Sequence, residues 1–138
     1  MPIVIDANIA VAWFRPVASA FADAVLHELS ERGAIVPALW RWEVQEVLRR
    51  LEGSGNLTIT IEAAIGEMTQ LPISIDDQLL GLFGDDLSLA RKHGLSVYDT
   101  AYLELALRHK APLATLDKKL AAAATGAGAG FSISGPDS

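Results

Sequence analysis

Ile3-Val4-Ile5-Asp6-Ala7-Asn8 opens the chain with a β-branched run that stops abruptly at a carboxylate. Three such residues in a row, with no polar alternation, suit a short strand buried on both faces. Outward from it, helical and strand patterns take turns. Residues 7–14 can form a short helix ended by Pro16, and Ser19 or a neighbour opens a longer one carrying Phe21, Val25 and Leu29 at helical spacing up to Gly33. Ala34-Ile35-Val36 reads as a second strand, and Trp40, Val44, Val47, Leu48 and Leu51 follow the helical period over 39–51. Thr60 is placed to cap a helix over 61–70, before a third strand at Ile73-Ser74-Ile75. A helical pattern over 78–93, with Gly81 and Gly84 inside it, ends at Gly94. The clearest helix spans 96–110. Leu113-Ala114-Thr115 is a fourth strand, 118–124 a last helix, and Phe131-Ser132-Ile133 a fifth, edge strand after a glycine-alanine loop, with 134–138 expected to fray.

Strands alternating with helices over the whole length predict an α/β fold: a mostly parallel central sheet of about five strands covered by helices on both faces. At 138 residues, 51% hydrophobic and 20% charged, residues 1–138 are expected to make a single domain with a real core, not a disordered chain. The absence of cysteine removes disulfides, thiolate zinc sites and cysteine nucleophiles. Mean hydropathy is +0.30, yet no run approaches the roughly 20 apolar residues of a membrane span, and no signal-peptide pattern opens the chain. A cytoplasmic protein without a membrane partner is expected. With eleven Lys+Arg against seventeen Asp+Glu, the net charge of -6 means that bulk charge cannot hold a nucleic acid.

In open parallel sheets, ligands gather beyond the carboxyl ends of the strands. The residues there are acidic: Asp6 after the first strand, Glu43 inside the next helix, Asp76 and Asp77 after the third strand, Asp99 at the head of the clearest helix, and Asp117 after the fourth strand. No glycine-rich nucleotide loop accompanies them, and His27, His93 and His109 lack ligand spacing. Carboxylates gathered at one point repel one another unless a cation joins them, and oxygen-only donors suit Mg2+ or Mn2+. Such an ion activates water toward a phosphodiester. Each acid also has a plainer use. Asp6 and Asp117 can cap the helices that follow them, Ser96 and Asp99 fit a capping box, and Glu43 sits in a first helical turn. Convergence separates the two uses.

These segments resemble the PIN-domain ribonucleases, in particular the VapC toxins of toxin–antitoxin systems. The resemblance runs through Ile3-Val4-Ile5-Asp6-Ala7-Asn8 with Ala12-Trp13-Phe14, then Trp42-Glu43-Val44, Ser96-Val97-Tyr98-Asp99-Thr100-Ala101-Tyr102-Leu103 and Leu116-Asp117-Lys118-Lys119-Leu120. It implies a PIN-like three-layer sandwich and an endoribonuclease that hydrolyses RNA with metal-activated water. Asp6, Glu43, Asp99 and Asp117 then correspond to the catalytic, metal-binding acids for Mg2+ or Mn2+, with Asp6 and Asp99 as the most direct ligands. Thr115 and Asn8 match polar positions that fix the site. A cognate antitoxin and a homodimer are implied as partners. The chain departs from the pattern at Glu46, where Asn is usual. Three residues from Glu43 on a helix, Glu46 could add a carboxylate to the site or turn outward.

Arg15, Arg41, Arg49, Arg50, Lys118 and Lys119 are candidate contacts for RNA phosphates. Trp13, Trp40 and Trp42 could stack on bases or line an interface, with Trp40 fitting the core better. A phosphate-accepting receiver domain also clusters acids around Mg2+, but it needs an acidic pair after the first strand and a lysine after the last. An aspartate phosphatase of D-x-D type fails because Asn8 fills the second place. A PIN-like module kept for protein binding is the alternative to an enzyme, and it would predict a broken acid set.

Overall fold

A computed structural model describes residues 1–78 and 81–133. Among them, four strands and seven helices alternate as expected: β1 (Ile3–Ile5), α1 (Ala7–Ala12), α2 (Ala20–Arg32), β2 (Ala34–Pro37), α3 (Ala38–Gly53), α4 (Ile61–Thr69), β3 (Ile73–Asp76), α5 (Asp86–His93), α6 (Val97–His109), β4 (Leu113–Ala114) and α7 (Lys118–Gly126). The strands form one parallel sheet in the order β3-β2-β1-β4. Parallel neighbours need long crossovers, and the helices supply them. A receiver domain places its first strand between the second and third; here β1 lies between β2 and β4, which sets that alternative aside.

β1 is one of the two inner strands, and its apolar run has the reason expected of it. Ile3, Val4 and Ile5 are fully buried, with Ile3 and Val4 paired to Ala34 and Ile35, and Val4 and Ile5 paired to Leu113 and Ala114. α6 packs on β1 and β2 through Thr100, Tyr102, Leu103, Leu105 and Ala106, while α1 packs on α3. The caps are those the sequence shows: Ser19, Thr60, Ser96 and Asp117 each accept a backbone N–H of the helix they open. Gly33 ends α2 at φ +78°, and a side chain there would also stand 3.3 Å from the Pro72 carbonyl oxygen, so only glycine suits the turn into β2.

Two expectations fail locally. The helix expected over 78–93 begins only at Asp86 among the described residues; residues 81–85 are irregular, with Gly81 at φ +87° breaking the pattern, and positions 79–80 lie outside the described residues. The expected fifth strand at 131–133 is absent, and a single parallel bridge joins Gly130 to Leu113 instead. Ala129 is buried and its carbonyl accepts the Leu113 N–H at 2.8 Å, but pairing stops at Gly130, and Phe131 turns edge-on to Phe21. The expected fraying of 134–138 lies outside the described residues. No helix among those described is long and apolar enough to cross a membrane.

Candidate active site

The carboxyl ends of β1 and β4 bring Asp6 and Asp117 together across Thr115. Asp6 is buried and caps α1, its Oδ1 accepting the Ile9 N–H at 3.1 Å, while its Oδ2 accepts the Thr115 hydroxyl. Thr115 Oγ1 in turn accepts the Asp117 N–H at 3.0 Å. Asp117 spends Oδ1 on the N–H groups of Lys119 and Leu120, at 2.9 and 3.0 Å. Its other oxygen has no hydrogen bond among the described residues. Capping and site-building thus share the same side chains, one oxygen to each. The Trp40 indole N–H donates to the Asp6 backbone carbonyl at 3.3 Å and fastens the start of α3 over the end of β1.

Asp99 reaches the same place from α6, where Ser96 Oγ accepts its backbone N–H at 3.0 Å. The electrostatics record the convergence. Burial pushes the Asp6 carboxyl up to about 6, with the charges of Asp99 and Asp117 adding to it and the bonds from Thr115 and Ile9 opposing. The Asp99 carboxyl is raised as well, by burial first and by Asp117 second. Glu43 arrives from α3 differently: its Oε1 accepts the Tyr102 hydroxyl at 2.5 Å. Tyr102 is buried on α6 three residues beyond Asp99. Its hydroxyl is pushed above the usual phenol range by burial, then by Glu43, Asp6 and Asp99.

Three aspartates therefore share one electrostatic neighbourhood, and Glu43 is tied to it through Tyr102. Tyr102 received no role from the sequence; its place one helical turn from Asp99, on the same face, was the available signal. Asn8 is exposed and borders a cavity of about 370 Å3 together with Arg15 and Asp117. Glu46 lies on the exposed side of α3. Asp76 stays apart, bound to Arg108 at 2.7 Å and His109 at 3.3 Å, and Arg108 holds its carboxyl below the usual range. The tryptophans separate too. Trp13 gives its indole N–H to the Ala22 carbonyl at 2.9 Å and Trp40 is in the core, while Trp42 is 67% exposed beneath the Arg41 guanidinium.

In donor chemistry the site fits a hard divalent cation: every candidate ligand is a carboxylate oxygen, and two of the carboxyls are held above their ordinary range without one. As placed, no three acidic or histidine side chains among the described residues are grouped tightly enough to hold an ion together.

A parallel sheet with carboxylates gathered at the end of an inner strand defines an α/β protein with an acidic cluster at the carboxyl edge of its sheet. Residues 3–126 match the PIN domain family, and the chain belongs to that family. PIN domains are generally nucleases and typically bind divalent metals. The fold is similar to the crystal structure of PAE2754 from Pyrobaculum aerophilum, with a TM-score of 0.64 and 18% identity over 89% of this chain and 84% of that one. No curated protein matches the chain.

Proposed function

We propose that the protein is a Mg2+- or Mn2+-dependent endoribonuclease, and that it acts as the toxin of a VapC-like toxin–antitoxin pair. The observation that carries the enzymatic part is the Asp6 carboxyl, pushed up to about 6 by burial and by two neighbouring carboxylates. A carboxyl raised both by burial and by specific charged neighbours, at the carboxyl end of a parallel strand, is a candidate functional group. Asp6 and Asp99 are the direct ligands in this proposal, with Asp117 and Glu43 completing the acidic set. Bound there, the cation supplies activated water and stabilises the oxygen that leaves the phosphodiester. Thr115 holds Asp6 in place by its hydroxyl, and Tyr102 does the same for Glu43. Cations near the mouth, Arg15 and Lys118 among them, attract the RNA backbone. Residues 1–138 serve as one PIN unit in the cytoplasm, and a homodimer and a cognate antitoxin belong to the same proposal.

The test is cleavage of total RNA by the purified protein with Mg2+ or Mn2+, with EDTA, and beside Asp99→Asn. Metal-dependent products lost in the variant are the expected result.

A second proposal, a catalytically weak PIN-like module for protein interaction, draws on the engagement of Glu43 with Tyr102 and on the looseness of the acid set. Absence of both cleavage and calorimetric binding of Mn2+ would favour it over the enzyme.

A further inference from the structure

Beside the acidic site, at the carboxyl ends of β2 and β3, lies a cavity of about 400 Å3 bordered by Leu39, Gln78, Asp86, Tyr98, Glu104 and Arg108. Its position is tied to the acids by sequence neighbours. Tyr98 directly precedes Asp99 on α6, and Leu39 lies one turn before Glu43 on α3, so the cavity shares its two helices with two of the acids. Tyr98 is 65% exposed although it is aromatic and borders a concavity. The polar lining is partly spent. Arg108 donates to Glu104 at 2.6 Å, to Asp76 at 2.7 Å and to the Gln78 carbonyl oxygen at 2.9 Å. The Gln78 amide N–H groups and the Asp86 carboxylate have no hydrogen-bond partner among the described residues.

A cavity with three carboxylates, Asp76, Asp86 and Glu104, against one arginine repels phosphate. It suits a neutral, flat group that both donates and accepts hydrogen bonds. We propose that this cavity holds the base of an unpaired nucleotide next to the scissile phosphodiester, with Tyr98 stacked on the base. Asp86 accepts from an exocyclic amino group and the Gln78 amide donates to the adjacent ring nitrogen. That pairing selects cytosine or adenine over uracil, which presents carbonyl oxygens where the amino group would be. A base held in a duplex cannot enter, so the substrate is a single-stranded segment. This inference rests on the ribonuclease proposal and adds its substrate class.

The test separates binding from cleavage. In the Asp99→Asn background with Mn2+, anisotropy of labelled oligocytidine, oligouridine and an RNA duplex gives the affinities. Oligocytidine is expected to bind more tightly than the other two, and Tyr98→Ala to weaken it about tenfold, the scale of losing one base–aromatic stack. Tyr98→Phe should restore the affinity, and Tyr98→Leu, which keeps apolar bulk without the flat ring, should not. In the parent enzyme Tyr98→Ala should raise KM and spare kcat. Equal binding of oligocytidine and oligouridine, or an affinity indifferent to Tyr98→Ala, overturns the inference and leaves the aromatic rim to a protein partner. If the parent neither cleaves RNA nor binds Mn2+, the ribonuclease proposal falls, and the oligonucleotide affinities still decide whether the cavity takes a base.

Discussion

Two clusters of charge stand at the carboxyl ends of this sheet, one over β1 and β4 and one at β3. Over β3, Arg108 joins Asp76 to Glu104, and His109 adds a second contact to Asp76, so opposite charges meet and the Asp76 carboxyl is held below its usual range. Over β1, Asp6, Asp99 and Asp117 share one neighbourhood with no such ion pair among the described residues, and the Asp6 and Asp99 carboxyls rise. Proximity of acids means little by itself. Among the described residues the β3 cluster is supplied with compensating charge and the β1 cluster is not, which separates an ion-pair network from carboxylates left to repel one another.

The comparison breaks most visibly at Asp99. Asp99→Asn should lower metal-dependent RNA cleavage by more than about a hundredfold while leaving the far-ultraviolet circular dichroism unchanged; a variant that cuts as well as the parent would show that the β1 cluster is not catalytic. The next largest effect is on stability without metal. The folded Asp6 carboxyl titrates near 6, above its ordinary 3.8, so its favourable contribution is complete below pH 3.8 and lost as pH rises through 6. Asp6→Asn, which keeps the Ile9 cap, should therefore stabilise the metal-free protein at pH 8 by up to about 3 kcal/mol, with the gain fading below pH 4 in urea titrations.

Asp76 should behave in the opposite sense. Its folded carboxyl is held below 3.8, so its contribution is present above that pH and lost as pH falls through the folded value. Asp76→Asn should cost about 1 kcal/mol at pH 7 and nothing in strong acid, read by the same titrations. The smallest effect belongs to Glu46. It is exposed on α3, and Glu46→Gln should shift stability by less than about 0.5 kcal/mol and leave the calorimetric affinity for Mn2+ unchanged; tighter or weaker metal binding would place it in the site after all.

Much of this was open to inspection in the residue order. Ile3-Val4-Ile5 announced a doubly buried strand because no polar residue interrupts it, and Ser19, Thr60, Ser96 and Asp117 announced helix starts because capping is local chemistry. Contacts across the sheet were closed to it. The Thr115–Asp6 bond joins residues 109 positions apart, and the Tyr102–Glu43 bond joins residues 59 apart. Nothing in the spacing of Asp76 distinguished it from Asp99 either, since its partner Arg108 lies 32 residues on. Among the described residues the helix expected over 78–93 begins only at Asp86, after Gly81 and Gly84, and a single bridge at Gly130 precedes the segment 131–133 where a strand was expected.

The inner position of β1 bears on how the protein is made. β1 finds its partner β4 only when residue 113 has followed it from the ribosome. Until then one side of Ile3–Ile5 is an open edge, and Asp6 waits without Thr115 or Asp117. At about 5–20 residues per second, that interval lasts on the order of ten seconds. The acidic cluster is therefore assembled late, because Asp6 gains its partners only once the segment from Leu113 to Asp117 has emerged.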